Sequence, residues 1–365
     1  MNICIIGDGL TSLTLAKNLV NKKINVHIYQ KNKIQKLLSS RTIGISQNNL
    51  EFFNEKIIKI SQKNTWKINK IEVFSEKIKN ENLLKFENIK DNLFYMVKND
   101  NLYNLLKNEI SKSIFFKKTI IKKTNFYGEF LKKNKFDLII NCELNNPISK
   151  KYFSKKIDKD YFNLAYTTIL SHQKIENNTA IQIFTKFGPI AFLPISNKDT
   201  SVVCSFENKK VKFSDNDIID LINKHNPKYK IKKILKFSIS KLTSSTLRSY
   251  HNKNILAFGD LLHRIHPLAG QGFNMTIRDI KVLSEIIQNK IDLGLQLDVS
   301  IINDFVNKTK HKNFFFFSMI DLIHETFSIE KKTKGENFTK ILKFFGKNKN
   351  LNNYFIKLAD RGLNF

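Results

Sequence analysis

The sequence predicts an α/β fold, in which a Rossmann-like domain is interrupted by a β-rich insertion and followed by a helical C-terminal region. Three observations predict this order. The chain opens with a strand pattern, a glycine turn and a helix pattern. Its middle consists of strand-like runs separated by turn residues. Its end has mainly helical spacing of apolar residues. The chain has 365 residues, which at about 100–200 residues per domain indicates one large domain or two interleaved ones.

The opening segment has the pattern of a nucleotide-binding unit. Asn2–Ile6 and Ile24–Tyr29 read as buried strands, and Leu13–Val20 has apolar residues at helical spacing. Between the first strand and the helix stand Gly7 and Gly9. Glycines here let backbone N–H groups approach a pyrophosphate at the helix N terminus. An ordinary tight turn of an α/β core is the alternative.

Two positions of this unit depart from the usual fingerprint. Ser12 stands where a third glycine is expected, and it is small enough for close packing of helix against strand. Gln30 stands where an acidic residue normally holds a ribose hydroxyl.

The remaining elements follow from periodicity and turn signals. Strands are predicted at Lys67–Phe74, Phe94–Val97, Phe136–Cys142, Leu164–Leu170, Ala180–Phe184, Ile190–Pro194, Ser201–Phe206 and Ile255–Phe258. Helices are predicted at Asn101–Ile110, Asp217–Asn226, from about Phe273 onward, and in the Phe-rich stretch Asn313–Phe327.

The net charge of +30 does not indicate nucleic-acid binding. Of 62 basic residues only five are arginines, the lysines are spread along the chain, and no zinc-finger or RNA-binding signature is found. Such a charge favours solubility and weak association, including attraction to an anionic membrane surface.

The cysteines and the hydropathy pattern predict a cytoplasmic protein. Cys4, Cys142 and Cys204 lie in apolar, strand-like runs without paired spacing, which is typical of reduced core residues. No secretory signal is seen at the start, and no apolar run reaches the ~18–20 residues of a membrane-spanning helix.

A second motif lies between Asn254 and Asp279. A strand ends at Gly259-Asp260, Pro267 kinks the chain, and a glycine-rich stretch opens a helix near Phe273. A carboxylate at a strand end can accept hydrogen bonds from sugar or ribityl hydroxyls, and a free helix N terminus faces an anionic or electron-rich ligand. With the first turn, these contacts fit a long dinucleotide lying across one domain.

This motif resembles that of the flavoprotein aromatic monooxygenases built like p-hydroxybenzoate hydroxylase, and within them the hydroxylases of ubiquinone biosynthesis. The family block GD-x-x-H-x-x-x-P-x-x-G-Q-G-x-N is matched by Gly259, Asp260, His263, Pro267, Gly270, Gln271, Gly272 and Asn274. His266–Gly272 followed by Arg278-Asp279 is similar to the ubiquinone branch. Further similar segments are Ser40–Ser46, Gly188–Pro194, Ile320–Ser328 and Ala359–Gly362. The family's Asp-Gly stretch is replaced by Glu143-Leu144.

The resemblance implies the domain organisation. The FAD-binding domain would comprise residues 1–70, 94–160 and 250–300, and the β-rich substrate domain residues 71–93 and 161–249. Residues 301–365 would form the helical C-terminal region.

It also implies the chemistry. FAD, reduced by NAD(P)H or another donor, would react with O2 to a C4a-hydroperoxide that hydroxylates the aromatic ring of a polyprenylated phenol. A lipophilic phenolic substrate, the inner-membrane surface and other ubiquinone-biosynthesis enzymes are the implied partners. Alternatives are a hydroxylase of a small soluble aromatic, a flavin-dependent reductase of prenyl chains, and a non-catalytic scaffold in a biosynthetic complex.

The resemblance implies cofactor-binding roles in a set of matched positions. Backbone or side-chain contacts to FAD are expected from Gly7, Gly9, Ser12, Gln30, Arg41, Asp260, Gly270, Gln271, Gly272, Phe273 and Asn274. Plain structural alternatives remain open: a surface salt bridge for Arg41 and a helix cap for Asp260.

Catalytic roles are implied for two residues of the second motif. Pro267 would face the flavin ring, with a structural kink as the alternative, and His266 would approach the substrate. Asp260, His263 and His266 have three-residue spacing, but Pro267 and the lack of a further ligand argue against a metal site.

The Phe314–Phe317 run predicts a core or tunnel wall. The alternative is a membrane-facing patch beside Lys310 and Lys312.

Overall fold

A computed structural model describes residues 1–31, 41–76, 82–87, 92–121, 127, 130, 136–207, 213–265, 271–333, 357 and 360–362. In the last long helix, side chains are described to Leu322 and at Glu325.

The chain alternates between strands and helices at its two ends and is mainly β in the middle. In chain order the strands are β1 (Asn2–Ile6), β2 (Asn25–Lys31), β3 (Thr42–Ser46), β4 (Thr65–Ile68), β5 (Lys70–Ser75), β6 (Leu84–Glu87), β7 (Phe94–Lys98), β8 (Phe116–Ile121), β9 (Leu138–Asn141), β10 (Lys156–His172), β11 (Thr179–Phe184), β12 (Pro189–Pro194), β13 (Asp199–Glu207), β14 (Ile231–Ile234), β15 (Ser238–Leu247), β16 (His251–Asn252), β17 (Ile255–Ala257) and β18 (His263–Arg264). The helices are α1 (Leu10–Asn21), α2 (Gln47–Lys56), α3 (Asn99–Ile110), α4 (Pro147–Tyr152), α5 (Asp215–Lys224), α6 (Gln271–Asp292) and α7 (Ser300–Thr333).

The first sheet is the Rossmann-like one. Its strand order is β16-β17-β9-β1-β2-β8, and β1 runs parallel to both β2 and β9, while β17 runs parallel to β9. The strands are nearly continuous apolar runs because helices cover both faces of a parallel sheet. The core includes Ile5, Leu15, Ile140 and Phe258, all fully buried.

The second sheet is the inserted one. Its order is β18-β15-β10-β13-β12-β11-β5-β6, with β14 paired to β10. It has a separate core around Phe192, Phe206 and Tyr229. The predicted α/β class with a β-rich insertion is confirmed.

A third, three-stranded sheet has the order β3-β7-β4, and it corrects one prediction. Lys67–Phe74 is not a single strand. It divides at Asn69, because Thr65–Ile68 pairs with β7 while Lys70–Ser75 pairs in parallel with β11 of the second sheet. Strand propensity on both sides of Asn69 concealed the change of partner.

The long helices α6 and α7 pack against each other. The predicted helix at Asn313–Phe327 is the second half of α7, which begins earlier, at Ser300. Within the described residues, no helix is long and apolar enough to cross a membrane. The described cysteines are free; Cys4 and Cys204 are buried.

Candidate functional site

Three turns meet at one edge of the first sheet. They follow β1, β9 and β17, which are neighbouring parallel strands, so their carboxyl ends point the same way. A Cβ on Gly7 (φ 115°) would lie 3.2 Å from Glu143 Cγ, and one on Gly259 (φ 62°) only 2.6 Å from Thr11 Cγ2. Glycine is needed at both positions because the backbone is left-handed and the neighbouring turn is close. The two sequence motifs therefore form one site.

The N terminus of α1 is open toward this site. Gly9 is its N-cap, no described side chain caps the helix, and its first turn has no acidic residue. A Cβ on Gly9 would meet no heavy atom within 4 Å. The first helical bond is donated by Leu13 to Gly9, so the preceding amides remain available to an anion, as a pyrophosphate requires.

Asp260 lies where the third turn leaves the sheet. Its side chain is exposed at the start of the 3-10 turn Gly259–Leu261. It makes no hydrogen bond with a described residue, so the helix-cap alternative has no support in the described contacts. The carboxylate is positioned to accept hydrogen bonds from ligand hydroxyls.

An acidic side chain that the sequence reasoning missed lies beside the phosphate turn. Asp8 is half-buried between Gly7 and Gly9, and burial raises its pKa, although Lys118 and Lys107 act in the opposite direction. Burial also lowers the pKa of Lys118. The charges around the turn are therefore mixed. The signal was present as an Asp within the glycine turn.

Two glutamines predicted to bind the cofactor have buried oxygens without partners. Oε1 of Gln30, on β2, and Oε1 of Gln271, at the start of α6, make no hydrogen bond with a residue that the structure describes. A buried unpaired amide oxygen costs about 1–3 kcal/mol, so a polar ligand that donates to these atoms would be stabilising. Ser12 is buried in the first turn of α1, beside Gly7. These features fit FAD, which combines a pyrophosphate with ribose and ribityl hydroxyls.

Asn274 connects the second motif to β3 and α2. Its Oδ1 accepts from the Ser46 amide (3.0 Å) and from Asn49 Nδ2 (2.9 Å), and its Nδ2 donates to the Gly44 carbonyl (2.9 Å). The side chain is thus occupied within the protein. Any contribution to a cofactor would come from its backbone or from the helix start that it holds in place.

Other predicted positions are less enclosed. Arg41 is exposed at the entrance of β3, where its carbonyl accepts a hydrogen bond from the Asn99 amide. Gly272 and Phe273 lie in the first turn of α6, and Phe273 packs against the main core. His266, Pro267 and Gly270 lie outside the described residues.

A buried pair, His263 and Asp279, connects residues of the second motif on the side of α6 and α7. His263 Nε2 is 2.5 Å from Asp279 Oδ2, and both side chains are almost fully buried. Asn313 of α7 donates to the other oxygen, Oδ1, at 3.0 Å. The Asp279 carboxylate of α6 therefore connects β18, which follows the Asp260 turn, with α7, a role that sequence reasoning did not assign.

The C-terminal turn reaches the same region. The Asn48 amide donates to Asp360 Oδ1 (2.9 Å), and Ser46 Oγ donates to the Asp360 carbonyl (3.0 Å). Asp360 thus caps α2 from more than 300 residues away in sequence. Gly362 has φ 70°, and a Cβ there would lie 2.7 Å from an Arg278 nitrogen.

Comparison with solved structures defines the class to which this fold belongs. p-Nitrophenol 4-monooxygenase PnpA from Pseudomonas putida superimposes with a TM-score of 0.75 at 10% identity, covering 98% of each chain. PqsL of P. aeruginosa, a probable FAD-dependent monooxygenase, superimposes with a TM-score of 0.69 at 12% identity, and the match covers 90% of this chain and 96% of PqsL. The fold is that of the FAD-dependent monooxygenases, as predicted.

Sequence comparison identifies which monooxygenases this chain is similar to. The family model for the FAD binding domain matches residues 153–292. The mitochondrial ubiquinone biosynthesis monooxygenase COQ6 of Schizosaccharomyces pombe is 21% identical over 66% of this chain and 59% of its own length. COQ6 of Danio rerio is 22% identical over 90% of this chain and 83% of its own length. COQ6 of Homo sapiens is 27% identical over 44% of this chain and 43% of its own length. The matched stretches of the S. pombe and human proteins thus fall short of two thirds of their length. The predicted resemblance to the ubiquinone branch and the assignment of FAD are confirmed.

Proposed function

We propose that this chain is an FAD-dependent monooxygenase that hydroxylates the aromatic ring of a polyprenylated phenol in ubiquinone biosynthesis. The observation that carries the proposal is the meeting of two distant motifs, Gly7–Gly9 and Gly259–Asp260, at the carboxyl edge of one parallel sheet. Similarity to ubiquinone biosynthesis monooxygenases supports the substrate class.

Different residues of the site would bind different parts of FAD. The open N terminus of α1 would bind the pyrophosphate, Gln30 a ribose hydroxyl, and Asp260 the ribityl chain. Gln271 and the first turn of α6 would face the flavin ring, where the positive end of a helix stabilises negative charge. Arg41 would contact the phosphate or ribityl portion from the entrance of β3.

FAD, when reduced by NAD(P)H or another donor, supplies the activation of O2 and the transfer of one oxygen atom to the ring. The protein would orient the phenol and exclude water. The Thr42–Ser201 hydrogen bond (2.9 Å) joins β3 to β13 of the inserted sheet, and we place the substrate ring at this junction. Pro267 and His266 are proposed to line it.

A polyprenylated phenol resides in a membrane. We therefore propose a cytoplasmic enzyme that works at the inner-membrane surface beside other enzymes of ubiquinone biosynthesis.

The test begins with the absorption spectrum of the purified protein, before and after release of bound cofactor. We expect near-stoichiometric FAD. Asp260→Ala should weaken FAD binding at least tenfold, the equivalent of about 1.4 kcal/mol for a lost charge-assisted hydrogen bond, while Asp220→Ala, an exposed aspartate on α5, should leave it unchanged. An Asp260→Ala protein that retains stoichiometric FAD would contradict the site.

Substrate assays separate the remaining alternatives. Prenylated phenols should stimulate O2 uptake more than small soluble aromatics do. Flavin reoxidation by substrate without O2 uptake would indicate a reductase of prenyl chains. Protein that cannot be reconstituted with FAD would favour the non-catalytic scaffold. Leu144 supports that alternative, because it replaces the glycine of the family's Asp-Gly stretch and packs against the core.

A further inference from the structure

A groove lies on the surface where the inserted sheet meets α7. It encloses about 250 Å3 and is lined by Ile157, Thr246, Leu247, Arg248, Tyr250, Lys310 and Phe314. Thr246 pairs with His263, so β18 runs alongside the groove. None of the described residues assigned to FAD is among those that line it.

The groove combines apolar walls with a positive rim. Ile157, Leu247 and Phe314 supply the walls, and the exposed Arg248 and Lys310 supply two cations. Neither cation forms an ion pair with an acidic group among the described residues. Such an arrangement is complementary to an amphiphile with an anionic head.

Two buried hydroxyls lie behind these walls. The Thr246 and Tyr250 hydroxyls lie next to each other, and Asn313 is a further polar neighbour of Tyr250. Both residues are at most 2% exposed. These hydroxyls therefore belong to the packed interior behind the groove, and the contacts open to a ligand are those of its exposed residues.

The neighbouring face of α7 exposes large apolar side chains. Phe314 and Phe315 are 50% and 55% exposed, whereas the next two residues, Phe316 and Phe317, are buried in a small core. Lys310 lies about one turn before Phe314 and Lys308 about two turns before Phe315, and both lysines are exposed. Exposed aromatic side chains beside lysines are typical of helices that lie in a lipid interface.

We propose that the groove and this face of α7 together form a docking surface for an anionic phospholipid bilayer. A headgroup phosphate binds between Arg248 and Lys310, and Phe314 and Phe315 enter the acyl boundary. The net charge of +30 adds a diffuse attraction to the same surface. The purpose of this docking rests on the proposed function, since a lipophilic substrate is met at the bilayer, but the binding itself requires no turnover.

The experiment uses the full-length, FAD-loaded protein and sedimentation with vesicles. One set contains phosphatidylcholine alone and the other is rich in phosphatidylglycerol. The test variants are Arg248→Gln/Lys310→Gln and Phe314→Ser/Phe315→Ser. Their matched controls are Lys232→Gln/Lys233→Gln, exposed on β14, which pairs with the far end of β10, and Ile114→Ser/Leu293→Ser, which replaces exposed apolar residues elsewhere.

We expect wild-type protein to bind the anionic vesicles and the groove-charge variant to bind about 30-fold more weakly, from about 1 kcal/mol per basic residue. The Phe variant should lose at least about tenfold, and both controls should match wild type. Equal loss in the lysine control would show diffuse charge attraction and overturn the groove. A Phe variant that changes oligomeric mass but not vesicle binding would instead indicate a second copy of the chain.

Turnover of a short-chain prenylated phenol without vesicles separates the two proposals. All four variants should retain it, because none replaces a residue of the flavin site. Failure of wild-type turnover would refute the proposed function while leaving the vesicle result intact.

Discussion

Gly259→Ala tests the packing of the two motifs against each other. Gly259 has φ 62°, and an added Cβ would lie 2.6 Å from Thr11 Cγ2 and 3.0 Å from Thr11 Oγ1. A side chain here therefore meets two separate costs: the left-handed backbone and the overlap with the first turn of α1.

The two costs can be estimated separately. A left-handed conformation costs a non-glycine residue about 1–2 kcal/mol, and overpacking by one methyl group costs about 1–3 kcal/mol. Gly259→Ala should therefore lower the free energy of unfolding by about 2–5 kcal/mol. FAD binding should weaken as well, because displacement of Thr11 or of the turn would shift both the phosphate-binding amides and Asp260.

The assay is denaturant unfolding of the apoprotein together with FAD titration. Thr11→Ser removes Cγ2, the nearest atom, so Gly259→Ala/Thr11→Ser should recover most of the packing cost and none of the backbone cost. A double variant no more stable than Gly259→Ala would refute the contact. A Gly259→Ala protein as stable as wild type would refute the left-handed turn itself.

Three further predictions concern the same region. Gly9→Ala should change the stability of the apoprotein by less than about 1 kcal/mol, because its Cβ meets open space, yet weaken FAD binding measured by titration. Asp8→Asn should strengthen FAD binding and stabilise the protein at neutral pH. The pKa of Asp8 is raised in the folded state, so its contribution to stability is fully present below its ordinary value of 3.8 and is lost as pH rises; the gain of the variant should vanish in acid unfolding curves. Asp360→Ala should cost about 1 kcal/mol in thermal unfolding by removing the cap of α2, whereas Asp360→Asn should retain most of it. Equal effects of the two Asp360 substitutions would exclude capping.

The opening unit could be predicted from sequence because its determinants are local. The run Asn2–Ile6 is observed as predicted, and the predicted helix Leu13–Val20 lies within α1. Each is specified by residues within its own span and by the glycines between them. The predicted runs within β10, β11, β12 and β13 were found for the same reason, since apolar residues and turn residues define them without knowledge of their partners, whereas β14 and β15 were not predicted.

The contacts that complete the site could not be predicted in this way. Asp360 caps a helix that begins at Gln47, and Asn313 bonds to Asp279 through a helix pairing that no local pattern specifies. Asn274 was expected to bind cofactor because it belongs to the motif. Its side chain holds β3 instead, a distinction that depends on three-dimensional packing.

The departures from the family motif have a common location. Glu143 replaces an Asp, and its Cγ would be 3.2 Å from a Cβ on Gly7, so the longer side chain lies directly beneath the phosphate turn. Lys31 is 3.4 Å from its carboxylate and offsets part of its charge. Asp8 adds a second acid at the same turn. We therefore expect these changes to affect FAD affinity more than the fold. The strands that place the turns consist mainly of buried apolar residues, whereas the charge around the phosphate turn is set by Asp8, Glu143 and the lysines that oppose them.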